Sequence, residues 1–174
     1  YTFIIPMPFS TNLSKELVKK HGDKIHHHTN SFQYNNTILY QVKSSIVVNG
    51  INLDAYIYYD ERRKCEESQE FLAKVIECEQ YIYNNKWENQ SDIESYLKEL
   101  FGNDWKILFS IKSTKNSYSL NRLDAGFNEV LNRMGKMILV TNNKNLTAPE
   151  TITRYRRKDR IEKLFDIKID YNKT

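Results

Sequence analysis

The 174-residue sequence predicts an α/β fold: the edge of a mixed sheet, a C-terminal helix packed on it, and a β-rich and helical subdomain inserted between. A hairpin pattern surrounds Asn49–Gly50, and helical periodicity fills residues 61–85. A short apolar strand, Met137–Thr141, precedes an amphipathic helix. We therefore divide the chain into a sheet strand (residues 1–9), an insertion-like subdomain (residues 10–134) and a final strand and helix (residues 135–174).

The composition is that of a globular protein with a small excess of basic over acidic residues. Hydrophobic residues make up 40%, and the net charge of +4 is compatible with nucleic acid as a partner. No apolar run approaches the roughly 20 residues of a membrane helix. The opening residues also lack the basic start and cleavage site of a signal peptide. We expect a cytoplasmic protein without a membrane partner.

The first third of the chain predicts a strand, a helix and a hairpin. Thr2–Pro6 is apolar and strand-like, and a short helix follows Ser10 or Thr11 as N-cap and ends at Gly22. Asn49–Gly50 separates two runs of β-branched and aromatic residues and predicts a type I′ turn. The two predicted hairpin strands are Thr37–Val48 and Ile51–Tyr59.

The middle of the chain is mostly helical in pattern. Apolar residues recur at spacings of three and four residues between Glu61 and Asn85 and predict one helix. Ser91 and Glu94 form a predicted capping box at the start of a second helix, which ends at Gly102. The remaining predicted elements are a strand at Trp105–Ile111 and a helix around Leu123–Met134.

The C-terminal helix carries the candidate chemistry. Thr147 is its predicted N-cap, with Pro149 in the first turn. Helical spacing puts Tyr155, Lys158 and Glu162 within about 60° of one another, and six cations lie between residues 154 and 163. A carboxylate ringed by cations suits metal-assisted phosphoryl transfer, in which the carboxylate holds Mg²⁺ and the cations hold phosphates. A solvated amphipathic helix with ordinary surface ion pairs is the alternative.

This segment resembles the C-terminal YREK signature of the insertion-sequence-four family of DDE transposases. The matching residues are the strand Ile138–Asn142, the helix start Leu146–Glu150, Tyr155, Glu162 and Phe165. Upstream, Phe3–Pro6 and Ala55–Arg63 resemble, more loosely, the strand and the insertion region that precede the glutamate in this family.

The resemblance implies the C-terminal part of an RNase H-like catalytic domain that performs DNA transposition at transposon ends. Glu162 would be the catalytic glutamate and the third acidic ligand of a two-Mg²⁺ site. The implied partners are double-stranded DNA and a second copy in a homodimer; the implied location is the nucleoid of a prokaryotic cytoplasm. The residues expected to contact DNA phosphates are Tyr155, Arg156, Arg157, Lys158 and Lys168.

Two positions depart from the family pattern. Lys158 stands where the family has arginine, so the bidentate phosphate contact is lost, although Arg157 is adjacent. The closing lysine is expected at position 169, which is Ile169, and Lys168 comes one residue early. A shift of one residue turns a helical side chain by about 100°.

The family's two aspartates are expected upstream of Tyr1, since Asp54, Asp60 and Asp124 each lie at an unsuitable position. One carboxylate does not hold two hard cations against their hydration, so we expect no DNA cleavage by this chain alone. The alternatives are an inactive DNA-binding or dimerising remnant, a small stand-alone nuclease, and a structural α/β protein with a chance match.

The cysteines, the histidine cluster and the tryptophans are interpreted as structural or solvent-exposed residues. Cys65 and Cys78 lack CxxC spacing and are expected to be reduced thiols. The cluster His26–His28 is expected in a solvated loop rather than at a metal. Trp87 and Trp105 are expected to pack in a core, although aromatic residues in the insertion region of some relatives hold a flipped base.

Overall fold

A computed structural model of the chain describes residues 1–114 and 117–171, with side chains placed as far as residue 160. The described strands are β1 (Ile4–Pro6), β2 (Ser31–Tyr34), β3 (Thr37–Val48), β4 (Ile51–Tyr59), β5 (Phe109–Ser113), β6 (Tyr118–Arg122) and β7 (Lys136–Thr141). The described α-helices are α1 (Asn12–His21), α2 (Glu61–Asn84), α3 (Gln90–Phe101), α4 (Trp105–Leu108), α5 (Asp124–Arg133) and α6 (Ala148–Tyr171).

The chain forms two compact units, and their bounds differ from the predicted division. Unit 1 comprises residues 1–61 together with those from 136 onward, and unit 2 comprises residues 62–135. The hairpin β3–β4 therefore belongs with the final strand and helix rather than with the insertion. The reason is register: β4 pairs with β3 along one side and with β7 along the other, so it lies in the middle of one sheet.

Unit 1 is built on a five-stranded sheet of order β1-β7-β4-β3-β2. Every described pairing in it is antiparallel, so the expected mixed sheet stays a prediction that needs a parallel strand outside these five. Two tight turns set this topology. Asn49 and Gly50 have φ of 50° and 78°, which confirms the predicted turn, and Asn35 and Asn36 have φ of 45° and 62° and form a similar turn that was not predicted.

The two faces of this sheet are covered by different helices. On one face, Leu17 and Val18 of α1 pack against a buried aliphatic cluster from β3, β4 and β7. On the other, which we call the α6 face, α6 packs against a cluster rich in tyrosine. Because successive side chains of a strand point to opposite faces, Asp54, Tyr56 and Tyr58 share the α6 face, while Ala55 and Ile57 face α1.

Unit 2 is a helical cluster with a small hairpin, β5–β6. Its core is formed by buried residues of α2, α3, α4 and α5, including Ile82, Ile93 and Leu97, each 0% exposed. Trp87 and Trp105 pack against this core as expected, and the indole N–H of Trp87 donates to the carbonyl oxygen of Ile82 at 3.1 Å.

Two predictions in unit 2 were wrong. The predicted strand Trp105–Ile111 begins as the short helix α4 and becomes extended only at Phe109. A short apolar run of this kind does not distinguish a buried helical turn from a strand. The N-cap of α3 is Asn89, whose side chain accepts from the backbone N–H of Asp92 at 3.0 Å, so Ser91 lies inside the helix.

No helix within residues 1–114 and 117–171 has the length and apolar character needed to cross a membrane. Cys65 is exposed and Cys78 is buried, and neither is in a disulfide. Burial raises the pKa of the Cys78 thiol to about 11, so this side chain is an inert part of the core. His26, His27 and His28 are exposed between α1 and β2, in agreement with the predicted solvated loop.

Candidate nucleic-acid interface

A reciprocal cap fixes the start of α6. The backbone N–H and the hydroxyl of Thr147 donate to Oε2 of Glu150 at 2.9 and 2.7 Å, and the N–H of Glu150 donates back to the Thr147 hydroxyl at 3.4 Å. These hydrogen bonds, the backbone one foremost, lower the pKa of the Glu150 carboxyl. Thr147 is thus the predicted N-cap, and this capping box starts the helix directly after the loop from β7.

Two buried tyrosines of β4 hold the same helix start against the sheet. The hydroxyl of Tyr56 donates to the carbonyl oxygen of Leu146 at 2.5 Å, and that of Tyr58 donates to the carbonyl oxygen of Ala148 at 2.7 Å. Both side chains are almost fully enclosed, and burial raises the pKa of Tyr58 above its ordinary value. The end of the loop and the first residue of α6 are therefore bound to the central strand of the sheet by two hydroxyl donors.

The next turns of α6 pack across the sheet towards β2. Ile152 is fully buried in the cluster that contains Tyr34, Tyr56 and Tyr58, and Tyr155 packs half-buried against it. The guanidinium carbon of Arg156 lies 4.8 Å from the centre of the Tyr34 ring, a cation–π arrangement. Tyr155 and Arg156 thus contact the sheet as well as solvent, and their positions along α6 are fixed.

The outer side of α6 is basic. Of the residues expected to contact phosphates, Arg157 and Lys158 are exposed, as are Arg154 and Arg160, which the resemblance did not assign. We call these four residues the basic face of α6. Glu162 and Lys168 lie in the part of α6 whose side chains are outside the described residues, so the structure does not place them in the site.

A second basic group lies on the α6 face of the sheet, around Asp54. This carboxylate is 2% exposed, yet its two oxygens are 2.7 Å from Nζ of Lys43 and 2.8 Å from Nζ of Lys144. The Lys43 ammonium also lies 5.5 Å from the centre of the Tyr56 ring. Burial opposes ionisation of Asp54, but the ammonium groups of Lys144 and Lys43 outweigh it and lower the pKa of the carboxyl. We call these three residues the lysine pair site.

In the sequence, Asp54 is conspicuous only as a candidate catalytic aspartate, and neither Lys43 nor Lys144 belongs to a recognisable motif. Asp54 alternates with the apolar residues Leu53 and Ala55, a pattern typical of a strand with one solvated face, whereas both faces of β4 are covered. The tyrosines at positions 56 and 58 were an available signal, because two large aromatic side chains on the same face as Asp54 indicate that this face is packed.

The described side chains do not fit a Mg²⁺ site. Among them, no group of three or more His, Cys, Asp or Glu residues is arranged to hold a metal ion. Both oxygens of Asp54 are engaged by ammonium groups, which a divalent cation would have to displace. A metal role for Glu162 therefore rests on the resemblance, and no catalytic step is derived from the geometry.

Fold and site together define a class: an α/β protein with an antiparallel sheet that carries a basic helix on one face. Comparisons with protein-family models, with curated proteins and with solved structures find no match to this chain.

Proposed function

We propose that this chain is the C-terminal part of the catalytic domain of a DDE transposase of the insertion-sequence-four type. In this proposal the basic face of α6 binds double-stranded DNA at transposon ends, and Glu162 contributes to a metal site that other carboxylates complete. The observation that carries the proposal is the strand–loop–helix unit β7–α6, which combines the Tyr155–Glu162 spacing with exposed cations on the helix.

The geometry of α6 supports the DNA-binding part of this proposal. The capping box and the two tyrosine hydroxyls fix one end of the helix, and Ile152 anchors its inner side. The basic face is therefore presented on a rigid support, so that little backbone freedom is lost when phosphates bind. Cations that replace condensed counterions on duplex DNA supply most of the affinity of such contacts.

The RNase H-like part of the proposal requires strands beyond the five described. An RNase H-like sheet is mixed, whereas the described pairings in unit 1 are antiparallel. The proposal therefore includes further strands that pair with this sheet and carry the two aspartates. The inactive DNA-binding or dimerising remnant is the second candidate, since it requires the basic face of α6 but no further carboxylates.

The first prediction concerns the basic face. The variant Arg154→Gln/Arg157→Gln is expected to lower the slope of log K against log salt for duplex DNA by about 1.8, because each phosphate contact contributes about 0.9. Fluorescence anisotropy with a labelled duplex at several salt concentrations measures this slope. The charge-matched control is Lys19→Gln/Lys20→Gln on α1, which packs on the opposite face of the sheet. Absence of salt-dependent duplex binding by the unaltered chain would refute the proposed function.

The second prediction separates the two candidates. The purified chain alone is expected to leave supercoiled duplex DNA intact in Mg²⁺, because a two-metal site needs more carboxylates than Glu162. A gel assay for nicked circles measures this. Mg²⁺-dependent nicking that Glu162→Ala abolishes would show that the chain is active by itself. Adding a polypeptide with the two aspartates should restore nicking if the chain is part of a working enzyme, and should have no effect if it is a remnant.

A further inference from the structure

We propose that Lys43 and Lys144, held on the two oxygens of the buried Asp54 carboxylate, form a second phosphate-binding site for the duplex DNA that α6 binds. This inference rests on the proposed function and adds a site outside the helix. The lysine pair site combines residues from β3, from β4 and from the loop between β7 and α6, so it exists only in the folded chain.

The positive charges of this site are exposed to solvent, and its negative charge is buried. The Asp54 side chain is 3% exposed, whereas those of Lys43 and Lys144 are 45% and 49% exposed. A phosphate that approaches from solvent therefore meets two ammonium groups, while the carboxylate lies beneath them. Each ammonium has three donors; Lys144 gives one to Asp54 at 2.8 Å and Lys43 forms an ion pair with it at 2.7 Å, so donors remain for a phosphate oxygen. The group carries two positive charges and one negative charge, so its net charge is positive.

The Asp54 carboxylate also reduces the side-chain entropy that the lysines lose when they bind a phosphate. A surface lysine samples many rotamers and loses this freedom when it binds a phosphate. Asp54 already holds both ammonium groups, and the Tyr56 ring lies beside that of Lys43. Asp54 is therefore a positioning residue for the lysines. One lysine is enough to neutralise a buried carboxylate, and the second gives the group its net positive charge.

Register places this site on the same face of the sheet as α6. Lys43 is opposite Tyr56 in the β3–β4 pairing, and Tyr56 holds Leu146 at the start of the helix. Lys144 lies in the loop that leads into α6. The lysine pair site therefore lies by the beginning of α6, and the basic face lies on the turns that follow. A duplex on this face of unit 1 meets both groups.

The test uses variants that leave no buried carboxylate without a partner. In Lys43→Gln/Asp54→Asn/Lys144→Gln, both cations are removed, and the slope of log K against log salt should fall by about 1.8. If affinity at 1 M salt is unchanged, this corresponds to about 60-fold weaker binding at 0.1 M. The variant Lys43→Gln/Asp54→Asn keeps the net charge of the chain unchanged and should still lose about 0.9 of the slope, or about 8-fold in affinity at 0.1 M. Circular dichroism confirms that both variants are folded.

The control Lys19→Gln/Lys20→Gln removes two positive charges, whereas the triple variant removes only one net charge. A general effect of net charge predicts a larger loss in the control, and a local site predicts a loss only in the lysine pair variants. Unchanged slopes in folded lysine pair variants, with normal binding by the unaltered chain, would overturn the inference and leave the proposed function standing. If the unaltered chain does not bind duplex DNA, both are wrong.

Discussion

Gly126→Ala is expected to destabilise unit 2 by about 3 kcal/mol or more, at the upper end of overpacking effects. Gly126 is buried in the first turn of α5, and a Cβ atom there would overlap the backbone carbonyl of Ile107 in α4. The obstacle is backbone rather than the end of a flexible side chain, so relief requires the two helices to move apart. Urea unfolding followed by tryptophan fluorescence measures the loss, since both tryptophans lie in this unit.

A second glycine supplies the control for this prediction. Gly102, which is also in unit 2, has open space where a Cβ atom would lie but a φ of 59°, so Gly102→Ala is expected to cost about 1–2 kcal/mol through backbone strain alone. Equal losses at the two positions would mean that the close approach of α4 and α5 does not limit residue 126.

The elements of unit 1 were largely predictable because local chemistry specifies them. Asn49–Gly50 fixes a hairpin whatever surrounds it, since both residues adopt positive φ, and Thr147 with Glu150 fixes a helix start. The sheet order was not predictable. It depends on the pairing of β7 beside β4, two strands that the whole of unit 2 separates along the chain, and no local pattern encodes that choice.

The basic face of α6 was visible in the sequence because its cations are neighbours on one helix. The lysine pair site was not, because Asp54 and Lys144 are 90 residues apart and meet only through the β4–β7 register. Lys43 is opposite Tyr56 in the β3–β4 pairing and reaches Asp54 along the α6 face of the sheet. Spacing along the chain therefore identifies a helix face, whereas a site assembled from two strands and a distant loop is identified only from the fold.

Replacing Lys43 and Lys144 by methionine, with Asp54 retained, is expected to destabilise unit 1 by about 2–3 kcal/mol at pH 7. Removal of the partners of a buried charge costs about 3–5 kcal/mol, and half-exposed ammonium groups contribute less than enclosed ones. Methionine keeps most of the apolar stem, so the change is chiefly one of charge. Urea unfolding followed by far-ultraviolet circular dichroism measures this loss of stability. Adding Asp54→Asn to the double variant should restore most of the stability, because no buried carboxylate then lacks a partner.

Lowering the pH should reduce the difference in unfolding free energy between the unaltered chain and the methionine variant. In the unaltered chain the folded pKa of Asp54 is lowered, so its ionised form contributes stability that is fully present above the ordinary value of 3.8 and is lost as the pH falls through the folded pKa. In the methionine variant only burial acts on Asp54 and raises its pKa, so the penalty is present above that raised pKa and disappears below 3.8. The gap in unfolding free energy between the two proteins should therefore narrow from pH 7 to about pH 3. A gap that stays constant with pH would assign the loss to packing of the lysine stems rather than to the Asp54 charge.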